Sequence, residues 1–186
     1  MEGRRSRYHG GRFRRAYSAD GQGLPERAPI PDKFVNTAGA VVFTADDVIA
    51  GQQVFLKHGL MDNGTIWSHG GYLGPDFPAQ SLHILALDLA DRIARERLSR
   101  GYADLTPEEK AAVDAAVALV LKANRYDPAS GVLALPAGTT RVLRRPGQIL
   151  DADISTGPRE MAAFAPETVS DPRELRQLTA FFAWTA

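Results

Sequence analysis

The chain has 186 residues, with 22 Lys and Arg against 22 Asp and Glu, so its formal charge is zero. A hydrophobic content of 44% is that of an ordinary globular protein, long enough for one domain with a core, or one domain with tails. A neutral chain has no bulk field that selects nucleic acid or anionic lipid, and zero Cys excludes disulfides, thiolate metal sites and thiol nucleophiles.

The charge is unevenly placed. Arg4, Arg5, Arg7, Arg12, Arg14 and Arg15 crowd the start, with Glu2 as their only acidic neighbour. Residues 1–27 are expected to form a basic disordered tail. A membrane-surface or nucleic-acid arm is the sharper alternative, but only Tyr8 and Phe13 supply aromatics. No apolar signal core follows these arginines, and no run of about 20 apolar residues occurs. The chain as written is expected to be soluble and without an export signal.

Pro25, Pro29 and Pro31 favour extended backbone. Phe34 and Val35, then Val41, Val42 and Phe43, flank Asn36, Thr37, Ala38 and Gly39, which predicts a short β-hairpin with Gly39 at positive φ. A first helix is expected to begin near residues 44–47. Thr44 is its cap, Asp46 and Asp47 suit the positive end of its dipole, and Gly59 ends it. A second helix is predicted from about Pro78 to Arg100, with Leu82, Leu85, Ala86, Leu89 and Ile93 on one face and Gly101 as its stop. The third starts at Thr106, Pro107, Glu108 and Glu109, a capping box, and buries Val113, Ala116, Val117, Val120 and Leu121. Residues 132–135 read as a short strand. Residues 136–168, rich in Pro, Gly and Thr, show no period and are expected to be irregular. A last helix opens at Ser170 or Asp171 with Pro172 in its first turn and Glu174 three residues after Asp171. Leu175, Leu178, Phe181, Phe182 and Trp184 make it apolar over most of its circumference, as in a buried helix or the opening of a membrane span.

Between the first two helices lies a loop dense in Gly, His and aromatics, and loops of that kind are where function tends to sit. Its outline is that of a c-type haem segment without the attachment cysteines. His69 and His83 are its best metal or haem ligand candidates, since neutral imidazole suits both. The plainer reading, which is preferred, has His69 hydrogen-bonded in the loop and His83 capping or packing in the second helix. Trp67, Tyr72 and Phe77 suit core packing or a docking surface. Asp62 and Asp76 suit acid–base chemistry, but Asp beside Gly or Pro more often makes a turn. No nucleophile elbow, phosphate loop or dinucleotide fingerprint is present.

Residues 51–77 carry a longer pattern. Gly51, Gln52, Gln53, Val54, Phe55, Leu56 and Lys57 are followed by Gly59, Leu60, Met61, Asp62, Asn63, Gly64, Thr65, Ile66 and Trp67. Then come His69, Gly70, Tyr72, Leu73, Gly74, Pro75, Asp76 and Phe77. This resembles the extracytoplasmic domain of the quinol-dependent nitric oxide reductases, single-chain members of the haem-copper oxidase superfamily. Three flanking stretches agree: residues 28–32 leading to Phe43 and Thr44, residues 122–128, and residues 171–186. The resemblance covers about residues 28–135 and 169–186.

The resemblance implies a mainly α fold, a haem-free cytochrome-c-like helical domain with one or two short β-hairpins. Residues 28–168 would form the domain, and residues 169–186 would begin a helix leading into a membrane domain absent here. Residues 59–63 stand roughly where the haem-attachment motif of related two-chain reductases would be, with bulky side chains in the haem's space. The family reduces two nitric oxide molecules to nitrous oxide with electrons from quinol, at a haem b and non-haem iron pair in its membrane part. The chain itself is then expected to hold no cofactor, no metal and no catalytic residue. Its expected partner is that membrane catalytic domain, with no nucleic acid and no direct substrate site. Its expected location is the extracytoplasmic face of a membrane. Asp62, Trp67, His69, Tyr72, Asp76, Phe77 and His83 are the candidate interface. Three departures stand out: the Arg-rich tail replaces the first membrane helix, residues 136–168 lack an expected aromatic-rich segment, and the chain stops where a second membrane helix would begin. The alternatives are a free-standing soluble binding module and a non-functional truncated fragment.

Overall fold

The structure, a computed structural model, describes residues 29–71, 74–144 and 169–186. The expected basic tail, Tyr72 and residues 145–168 lie outside the described residues. The fold is mainly α. Five helices are described: α1 (Ala45–Lys57), α2 (Phe77–Leu98), α3 (Pro107–Lys122), α4 (Thr139–Leu143) and α5 (Pro172–Thr185). The strands are β1 (Lys33–Val35), β2 (Val41–Thr44), β3 (Thr65–Ile66), β4 (His69–Gly70), β5 (Tyr126–Asp127) and β6 (Val132–Ala134).

Local sequence sets most helix starts. Thr44 caps α1 and Asp47 closes a capping box, and Thr106 and Glu109 do the same for α3. The hydroxyl of each Thr accepts the N–H of the third helical residue, while the acid reaches back to the cap's own N–H. Gly59 follows α1 at φ 61, as expected of a helix stop. The end of α2 differs from expectation. It stops at Leu98 with Ser99 left-handed at φ 56, and Gly101 instead opens the 3-10 turn Tyr102–Asp104. The Tyr102 N–H, held 3.1 Å from Asp91 Oδ1, folds that turn back on α2.

The predicted hairpin pairs β1 with β2, Phe34 opposite Phe43, with Gly39 at φ 77 in its turn. The expected strand at 132–135 is β6, which pairs in parallel with β1 and antiparallel with β5, giving sheet order β2-β1-β6-β5. Three antiparallel pairs are therefore described, one more than the one or two expected. The addition is β3–β4, whose turn has no Gly or Asn to announce it. A second correction is α4. It falls inside the stretch expected to be irregular, and it buries Val142 and Leu143 in the core.

Helix α5 lies deep in the domain, with Leu178, Ala180, Phe181 and Phe182 buried, and packs against α1, α2 and α4. Phe182 stacks on Phe77 at 4.9 Å, and Phe55 meets both rings edge-on at 5.7 and 6.1 Å. Glu174, three residues after Asp171, reaches across to α1, 2.6 Å from Lys57 Nζ and 2.8 Å from His58 Nε2. No described helix is long and apolar enough to cross a membrane. A second core, of Leu89, Ile93, Leu105, Val113 and Val117, joins the far half of α2 to α3.

Candidate functional site

The Gly-rich loop folds as the 3-10 turn Leu60–Asp62 followed by the β3–β4 hairpin, in register Thr65 to Gly70 and Ile66 to His69. It is tightly packed. A Cβ on Gly71 would lie 2.1 Å from the carbonyl oxygen of Asp62, so only Gly lets the two backbones approach this closely. The turn residues Trp67 and Ser68 both have positive φ, 52° and 64°, which L side chains rarely adopt.

Asp76 holds that turn. Its Oδ2 accepts the Ser68 N–H at 2.9 Å and the Thr65 hydroxyl at 2.8 Å, while Oδ1 caps α2 through the Ala79 N–H at 3.1 Å. Burial pushes the Asp76 carboxyl up, but these three donors outweigh it and hold it below the ordinary aspartate value.

The turn lifts Trp67 to the surface, where 51% of it is exposed. Its indole N–H donates to the Thr185 carbonyl at 2.8 Å, in the last turn of α5. The ring meets Trp184 at 5.7 Å, and Trp184 donates in turn to the Pro29 carbonyl at 3.2 Å. Three separated stretches of chain thus meet at one place.

The other expected site residues divide. His69 is exposed beside Trp67 on β4, and Asp62 is exposed at the end of the 3-10 turn. Phe77 is 1% exposed and belongs to the aromatic core, so its ring has no face to offer a partner. Asp76 acts within the fold. His83 is exposed on α2 but lines a separate groove toward α3, with Tyr102 and Leu121. Tyr72 lies outside the described residues. Among the described residues, no group of three or more His, Asp or Glu is placed to hold a metal ion. Sequence reasoning missed Thr65, Ser68, Trp184 and Thr185 as members of this cluster. The only available signal was Asp76 as the cap of a helix with Pro78 in its first turn.

The chain matches a family described as the NorB cytochrome c-like domain of nitric oxide reductase, over residues 31–186. It belongs to that family. No curated protein matches it. A domain of NorB implies a membrane catalytic partner. The description cytochrome c-like also implies a haem, and the residues do not fit a covalently attached one. The chain has no Cys for thioether bonds. Where α1, α2 and α5 meet, Phe55, Phe77, Phe181 and Phe182 fill the interior with their own rings.

Proposed function

We propose that this domain is the extracytoplasmic cap of a quinol-dependent nitric oxide reductase. The tip of the β3–β4 hairpin, with Trp67 and His69, faces the membrane catalytic part. That part carries the haem b and non-haem iron and reduces two nitric oxide molecules to nitrous oxide. The cap does no redox chemistry. It shields the membrane site and shapes access for quinol, protons or water, and the ring cluster of Phe55, Phe77, Phe181 and Phe182 stands in the space a cytochrome would give its haem.

The observation that carries this reading is the meeting of Pro29, Trp67 and Trp184 with Thr185. A cap joined to its membrane part through α5 needs the end of that helix on the face it shares with the partner, and here Pro29 and Trp67 gather around the last turn of α5. Trp67 and the adjoining His69 are exposed on that same face, as side chains offered to a partner would be.

The test uses the reductase polypeptide that carries this domain together with its membrane catalytic part. Trp67→Ala and His69→Ala are expected to lower nitric oxide consumption several-fold while the domain keeps its far-ultraviolet circular dichroism. Wild-type turnover in both variants would reject the capping role.

A further inference from the structure

Trp67 and Trp184 are the two tryptophans of the chain, and they touch, at a ring-centroid distance of 5.7 Å and an angle of 63°. Each places its indole N–H on the backbone of a different stretch, Trp67 on Thr185 and Trp184 on Pro29. The rings therefore join the hairpin tip, the last turn of α5 and the chain just before β1. Trp67 reaches this position only because two successive non-glycine residues hold φ values of 52° and 64°. A turn of that kind does not persist through its own propensity, so something outside it must fix it. The neighbouring group that does so is a single carboxylate, that of Asp76, bound to the Ser68 N–H and the Thr65 hydroxyl. Thr65 is buried, so loss of its hydroxyl bond leaves Asp76 with no ready replacement from water on that side.

We infer that Asp76 is a positioning residue: through Ser68 and Thr65 it fixes the left-handed turn that presents Trp67, and the Trp67–Trp184 contact then clasps the end of α5 to residue 29. The clasp fixes where the last turn of α5 sits against the hairpin. Its consequence for turnover rests on the capping reading above; its existence does not.

The full chain carries its own reporter. Two indoles in contact couple their transitions and give an exciton couplet in circular dichroism, and with only these two tryptophans the part of the signal that Trp67→Phe removes reports the clasp, apart from what Trp184 owes to the neighbouring Phe181 ring. Asp76→Asn and Thr65→Val keep both tryptophans. Both are expected to lose most of the couplet while the helix signal is retained, and Trp67→Phe supplies the zero. Thr65→Val leaves the cap of α2 intact, so it decides the matter if Asp76→Asn fails to fold. An unchanged couplet in a folded Thr65→Val chain, or in a folded Asp76→Asn chain, overturns the positioning role. In the reductase polypeptide with its membrane part, Thr65→Val is expected to lower turnover several-fold. If the couplet is lost and turnover stays at wild type, the clasp stands and the capping reading falls.

Discussion

Asp76 shows how much one carboxylate fixes when three donors converge on it. Its folded value lies below its ordinary one, because the Ser68, Ala79 and Thr65 donors outweigh the opposing effect of burial. A depressed carboxyl adds stability above its unfolded value and loses that stability as pH falls through the folded value. Acid titration of the full chain should therefore weaken the β3–β4 turn below the ordinary aspartate range, read as a shift in tryptophan emission, and Asp76→Ala should abolish that transition. Losing the cap and leaving its donors unmet should also cost about 1–2 kcal/mol in urea unfolding. An acid transition that survives in the variant would assign it elsewhere. Asp91, Glu109, Asp127 and Glu174 are competing groups, since their partners hold each carboxyl low with the same sign; for Glu174 these are Lys57 and then His58. Glu174 lies in the first turn of α5, at the opposite end of that helix from Trp184. At this scale the caps on Thr44 and Thr106 were legible, because each is a bond between residues three apart. The turn at Trp67 and Ser68 was not legible. Its conformation is imposed by Asp76, eight residues beyond Ser68, which is not a local signal.

Among the elements, the crossing of α1 and α5 decides the shape of the core. Gly51 sits under the turn of α5 that carries Gln177, and a Cβ there would lie 2.0 Å from the Gln177 carbonyl oxygen. Glycine inside a helix normally costs about 0.5–1 kcal/mol relative to alanine. Here that gain is outweighed, because a backbone oxygen cannot turn aside as a side chain does. Gly51→Ala should lose about 1–3 kcal/mol net, typical of overpacking, in thermal or urea unfolding. A stabilised variant would mean that the helices do not approach this closely. Arg176 strengthens the same crossing, 3.0 Å from Asp47 Oδ1 and 2.7 Å from the Val42 carbonyl, so Asp47 serves both the cap of α1 and the join to α5. The amphipathic stripes of α2 and α3 announced those helices. The apolar α5 was legible as a helix, but its burial among Phe55 and Phe77 could not be told from a membrane span by composition alone. Helix α4 was missed because five residues are too few to display a period.

At the scale of the whole molecule, the family was legible in residues 51–77, where Gly51, Gly64 and Gly71 allow close approach and Phe55 and Phe77 enter the core, and the mainly α fold in the helical patterns on either side. The arrangement of the face was not. Pro29, Trp67 and Trp184 are separated by long stretches of sequence, and only the folded chain brings them together. That meeting is what turns a cytochrome-like domain into a candidate cap. Its most direct measurement is site-specific photo-cross-linking in the reductase polypeptide that carries both this domain and its membrane catalytic part. A photo-reactive side chain introduced at position 69, exposed at the hairpin tip, is expected to cross-link to the membrane part. The same group at position 119, where Leu119 is 76% exposed on α3, is expected not to. Cross-links from position 119 and none from position 69 would contradict the account.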